Sequence, residues 1–229
     1  AEHAVFLRWL VRAVVREQID LMLIAGDVFD SSLPSALAEA MWFQFLAELR
    51  AARPNVHVVV ISGNHDSPSR LAAPARLLSQ LGVHVVTTVA DDAGGVARAI
   101  VDIGDAVVVA MPYLRPIDLP AGLDPISGTR ARFAEALALG RSVREKRPGR
   151  PLIVAAHLYA TGANTEWLSE RRASVGGAEA IDTDLFGLGE AAGGSGADRG
   201  GDVAYVALGH IHKAQKVGRD AIRYAGAPL

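Results

Sequence analysis

Four times along this chain an apolar run no longer than one β-strand stops at a small residue, and aspartate, asparagine or histidine follows at once. LMLIAG leads into Asp27, HVVVISG into Asn64-His65-Asp66, LIVAA into His157, and YVALG into His210-Ile211-His212. A short apolar run without polar alternation reads as a strand buried on both faces, the usual condition of strands covered by helices on each side. Helical spacing intervenes where such a fold needs it. Residues 4 to 18 put Val5, Leu7, Leu10, Val11, Val14 and Val15 on one face, residues 34 to 52 form a second amphipathic stretch opening at Pro34, and an Arg-rich helix is expected over about 129 to 146. Further strands are expected at 83 to 88, 98 to 103, 105 to 110, 152 to 156 and 203 to 208. Alternation of this kind predicts an α/β layered fold.

In open α/β sheets, ligands bind at the loops beyond the carboxyl ends of strands, so the four tips are predicted to converge although they lie far apart in sequence. The chain has no cysteine, which leaves His, Asp, Asn and Glu to hold any metal. A mixed oxygen and imidazole set suits Mn, Fe or Zn better than Ca. A bridging carboxylate can keep two cations about 3.5 to 4 Å apart, and Asp27 is the candidate bridge. The glycines beside these residues let the backbone turn tightly there.

The 229 residues are read as one domain, with the Gly-rich stretch 187 to 202 as a mobile loop inside it. No apolar run reaches the length of a membrane span, so no membrane role is expected, and the lack of cysteine fits the cytoplasm. A net charge of −2 lacks the basicity of a protein that holds nucleic acid by charge alone. A local patch or a partner must then supply any grip on DNA.

GDxxD at 26 to 30, GNHD at 63 to 66 and GHxH at 209 to 212, in that order, resemble the signature of the calcineurin-like metallophosphoesterases. That resemblance implies a four-layer α/β/β/α sandwich with two divalent metal ions at the strand tips between its sheets. It implies that Asp27 bridges the metals, that Asn64, His157 and His210 complete one site, and that His212 binds the other. His65 becomes the general acid, with the carboxylate of Asp66 or Asp30 to orient it. GNHDSPSRL at 63 to 71, MPYLRP at 111 to 116, SERRASVGG at 169 to 177 and YVALGHIHKAQ at 205 to 215 are similar to the SbcD nuclease subfamily. This further likeness implies a Mn2+-dependent DNA exonuclease and endonuclease of repair and recombination, acting on ends and hairpins in the nucleoid. It also implies a homodimer within a heterotetramer completed by the SbcC coiled-coil ATPase.

The same resemblance places a strand with an Asp-x-His motif ahead of Glu2, and further strands and partner-binding segments beyond Leu229. The fragment is therefore expected to be incomplete at both ends, lacking its first strand, with the metal site that His212 joins only partly built. Arg70 has two readings, a pair with a nearby carboxylate or a contact to a DNA phosphate. The basic run Arg141, Arg144, Lys146, Arg147 and Arg150 is read as a solvated helix end or a DNA-facing patch. Trp9, Trp42 and Phe43 are read as packing, and His3, His57 and His84 are given no catalytic role. Two rival functions use the same residues: a small-molecule phosphodiesterase or phosphatase, and a catalytically silent scaffold for an ATPase.

Overall fold

The computed structural model describes residues 2–90, 94–164, 181–186 and 203–228. The 187–202 stretch and the SERRASVGG run lie outside them.

The chain opens on helix α1 (Glu2–Arg16), which ends ahead of Gln18, where φ turns to 52°. Strand β1 (Leu21–Ala25) follows, then α2 (Ala36–Ala52), whose first turn is closed by the Ser35 hydroxyl accepting from the Ala38 amide at 3.2 Å. Strand β2 (His57–Ile61), the short helices α3 (Pro68–Ala72) and α4 (Ala75–Ser79), and β3 (Val83–Val86) complete the first half. β1, β2 and β3 form a parallel three-stranded sheet in that order.

The second half contains β4 (Ile100–Asp102), β5 (Val107–Met111), α5 (Pro125–Glu145), β6 (Leu152–His157), β7 (Val203–Gly209), β8 (Gln215–Val217) and β9 (Arg219–Tyr224). They build a six-stranded sheet in the order β4-β5-β6-β7-β9-β8, parallel in its centre and antiparallel at β4 and β8. Helix α5 begins at Pro125, earlier than its apolar spacing predicts, because Asp124 caps it by accepting from the amides of Ile126 and Ser127, both at 3.1 Å.

Side chains that alternate along each strand sort themselves into three cores. Val58 and Val60 face α1 and α2 with Trp42, Phe45, Leu46 and Leu49. Their neighbours Val59 and Ile61 face the other sheet, where they meet Val108, Ala110 and Ala155. Val107, Val109 and Met111 pack on the far side against Phe133, Ala136 and Leu137 of α5. Helices, sheet, sheet, helix: these are the four layers of an α/β/β/α sandwich. No helix among the described residues is long and apolar enough to cross a membrane.

Two aromatic expectations fail. Trp42 is buried, but Trp9 is 48 % and Phe43 42 % exposed. Trp9 stacks on Phe6 instead, with ring centroids 5.7 Å apart.

Candidate metal centre

The carboxyl ends of β1 and β2 in the small sheet meet those of β6 and β7 in the large one. Ligand atoms of Asp27, His157 and His210 all lie within 4.8 Å of one another. Asn64 sits among them, its Oδ1 2.9 Å from His157 Nε2 and 3.0 Å from His210 Nδ1. Asp27 Oδ2 is 3.4 Å from His157 Nε2.

The backbone is bent to achieve this. Asp27 and His210 hold φ at 49° and 97°, a left-handed region that costs a non-glycine residue about 1–3 kcal/mol. At Gly26, where φ is 89°, a Cβ would run into the His157 ring, and at Gly209 into the carbonyl of Ala25. Both contacts are the close approach of one sheet's tips to the other's.

The chemistry of the donors fits a cation. His157 Nδ1 lies 2.8 Å from the Ala25 carbonyl, which can only accept, so Nδ1 carries the hydrogen and Nε2 is left with its lone pair. That lone pair faces Asn64 Oδ1 and Asp27 Oδ2, two further acceptors. Three acceptors aimed at one another are stable only with a proton or a metal ion between them. Burial pushes His210 down to about 4, aided by His157 whenever that ring is protonated, which keeps the His210 ring in the neutral, ligating form. Burial works to raise the Asp27 carboxyl, but the His157 side chain and the His65 amide outweigh it, and the net direction is down.

His212 lines the same cleft as His210 but stays outside the close cluster. His65 lies at the exposed rim. Its amide donates to Asp27 Oδ1 at 2.9 Å, and its ring Nδ1 donates to the main-chain carbonyl of Asp30 at 3.0 Å. The expected orienting carboxylate is thus replaced by a carbonyl. Asp66 serves a different purpose: buried at 2 %, it accepts from the amides of Val28, Phe29 and Gly63 at 3.2, 3.1 and 2.9 Å. It ties the Asp27 loop to the Asn64 loop and leaves His65 to Asp30.

Arg70 lies 3.6 Å from Glu39, a loose exposed pair. In the basic run, Arg150 is spent on structure, bonded to Asp102 at 2.6 Å and to the carbonyls of Val143, Gly104 and Arg147. Sequence reasoning passed over Arg115 and Tyr113. The Tyr113 ring meets His157 edge-on at 6.2 Å, and Arg115 donates to the carbonyls of Gly63 and Asp66. MPYLRP was the signal available, but its meaning lay in main-chain partners.

A groove of about 860 Å³ runs from α1 and α2 along β1 to His210 and His212. β1 occupies one edge of the small sheet among the described residues, and all five of its apolar residues are only half-buried. Strand β2, of similar composition, has four of its five residues fully buried.

Two sheets whose tips pool carboxylate, amide and imidazole ligands define a metal-dependent phosphoesterase architecture, and the calcineurin-like phosphoesterase profile matches residues 2–214. The chain belongs to that family, which works with divalent metal ions. It is similar over its whole length to proteins named as the SbcD component of the SbcCD nuclease: 36 % identical to the one from Rhodobacter capsulatus, 32 % to that of Bacillus subtilis and 30 % to that of Escherichia coli K12. The chain spans 57, 56 and 55 % of the length of those relatives, respectively.

Proposed function

We propose that this chain is the catalytic core of a Mn2+-dependent DNA nuclease of the SbcD type, which hydrolyses phosphodiesters at double-strand ends and hairpins. The observation that carries the reading is the convergence of Asp27, Asn64, His157 and His210 from two sheets, with His65 at the open rim of the same cluster. Similarity to proteins named as nucleases supports DNA as the substrate over small phosphodiesters.

In this reading Asp27 is the shared ligand, Asn64, His157 and His210 complete one site, and His212 contributes to the second. Two divalent cations held by these residues would supply charge neutralisation at the phosphate and a water of lowered pKa. The chain's own residues do the rest. With Nδ1–H given to the Asp30 carbonyl, His65 presents Nε2 to the cleft, and an Nε2–H is the proton donated to the departing oxygen. Ala25 and the Tyr113 edge keep His157 from rotating, and Asp66 holds the two ligand loops in register. The weak net charge is offset by partners: an SbcC-type coiled-coil ATPase and a second copy of this chain share the grip on DNA in the cytoplasm.

The test is cleavage of end-labelled duplex and hairpin DNA in Mn2+ by the full-length protein beside its His65→Ala variant. Loss of about 10²- to 10⁴-fold in the variant supports a nuclease using His65 as acid. Hydrolysis of small phosphodiesters with no cleavage of DNA would overturn the substrate assignment and leave the metal centre intact.

A further inference from the structure

One cation stands behind the ligand set without belonging to it. Arg115 lies in the loop after β5, in the large sheet, and its Nη2 donates to the carbonyls of Gly63 at 3.0 Å and Asp66 at 3.1 Å, in the small-sheet loop. Those two carbonyls bracket Asn64 and His65. Nη1 reaches the Tyr113 carbonyl at 3.4 Å, and the guanidinium lies 5.5 Å from the centroid of the Tyr113 ring.

The arginine is itself held from behind. Its amide donates to Asp118 Oδ2 at 3.0 Å, while Asp118 Oδ1 accepts from the Val89 amide and the Asp118 carbonyl accepts from the buried Arg132. The Asn64–His65 loop has no secondary structure of its own, so its polar backbone must be satisfied from outside. Carboxylates take its amides: Asp66 that of Gly63, Asp27 that of His65. Arg115 takes its carbonyls. A planar guanidinium can hold two carbonyls while stacking on an aromatic ring, which a single ammonium does less well.

We infer that Arg115 is a positioning residue, which fixes the direction of Asn64 and His65 through the carbonyls of Gly63 and Asp66 without touching substrate. This rests on the reading of Asn64 as a metal ligand and His65 as the acid. Truncation of Arg115 frees the loop at its two carbonyls while its carboxylate-bonded amides stay in place, so the loop loosens and the sheets persist.

The experiment compares wild type, Arg115→Ala and Arg115→Lys as full-length proteins by three readouts. In metal-free protein, hydrogen exchange at residues 62 to 67 is expected to accelerate in Arg115→Ala, with β2, β5 and β6 unchanged. Mn2+ affinity, read from the free-ion electron paramagnetic resonance signal, is expected to weaken about tenfold or more, the range seen when groups that orient metal ligands are removed. DNA cleavage is expected to lose about 10²-fold in kcat with KM held, the cost of a misplacement near 1 Å. Guanidinium ion added to Arg115→Ala restores part of that loss, equal sodium chloride does not, and Arg115→Lys falls between wild type and alanine. Exchange and Mn2+ affinity equal to wild type would sink the inference, as would a rise in KM alone, the mark of a phosphate contact. Acceleration spread across the strands without rescue would also overturn it, leaving a general structural role. If wild type cleaves no DNA but Arg115→Ala still loosens the loop and loses Mn2+, the nuclease reading falls and the positioning role stands.

Discussion

At the scale of single residues, Asp27, Asn64, His157 and His210 come together because each follows an apolar run that folds as a strand, and strand tips in α/β folds are where ligands gather. Asp66 and Arg115 were not legible, because their partners are main-chain amides and carbonyls, which a sequence does not display. The closing aspartates of the GNHD and GDxxD motifs illustrate the difference. Asp66 is a buried carboxylate on three amides, and Asp30 acts through its carbonyl. Asp66→Ala is therefore expected to cost about 3 kcal/mol or more of stability by leaving buried donors without an acceptor, seen as a lowered denaturation midpoint. The exposed His65, replaced by alanine, should leave that midpoint nearly unchanged. His210 sets a pH dependence: folded, it titrates at about 4, and unfolded at about 6.5. Between those values the unfolded chain takes up a proton that the folded one refuses, so metal-free protein should lose stability as pH falls from about 6.5 to about 4. Thermal unfolding across that window checks it, and a flat profile would contradict the burial of a neutral ring.

Elements were legible where they are long or fully buried. β2 and β6 were found within a residue or so, since nothing but a strand accounts for HVVVI or LIVAAH. β8 and β9 were missed because QKV and RDAIRY mix charge with apolar residues on a partly exposed edge hairpin. α3 and α4, five residues each, are too short to show a period. What the elements do together depends on how near their ends come. Gly209→Ala would drive a methyl into the Ala25 carbonyl, a backbone atom with nowhere to yield, and push β7 away from β1. The expected result is a protein that folds with stability lowered by about 1–3 kcal/mol, as for other overpacked sites, and binds Mn2+ poorly. Unaltered Mn2+ titration in this variant would show that the sheet tips tolerate separation.

At the scale of the whole molecule, the layers followed from the alternation of helices and strands, and the count of four from a family likeness that Val58 to Ile61 bear out by facing alternate cores. The site uses that construction. Asp27 and Asn64 come from the small sheet, His157 and His210 from the large one, so a cation bound there cross-links the two halves. Mn2+ at a hundredfold excess over its dissociation constant should raise stability by about 2.7 kcal/mol, and a chelator should remove that gain. Scanning calorimetry with and without the ion would measure it, and equal curves would mean that the ligands do not share one ion. Cross-linking also works in reverse. Because no one layer owns the complete ligand set, a protein that levers the sheets apart by about 1 Å would silence the chemistry with every ligand still in place, and one that presses them together would restore it. Catalysis would then report mechanical load across the seam, as a strain gauge does.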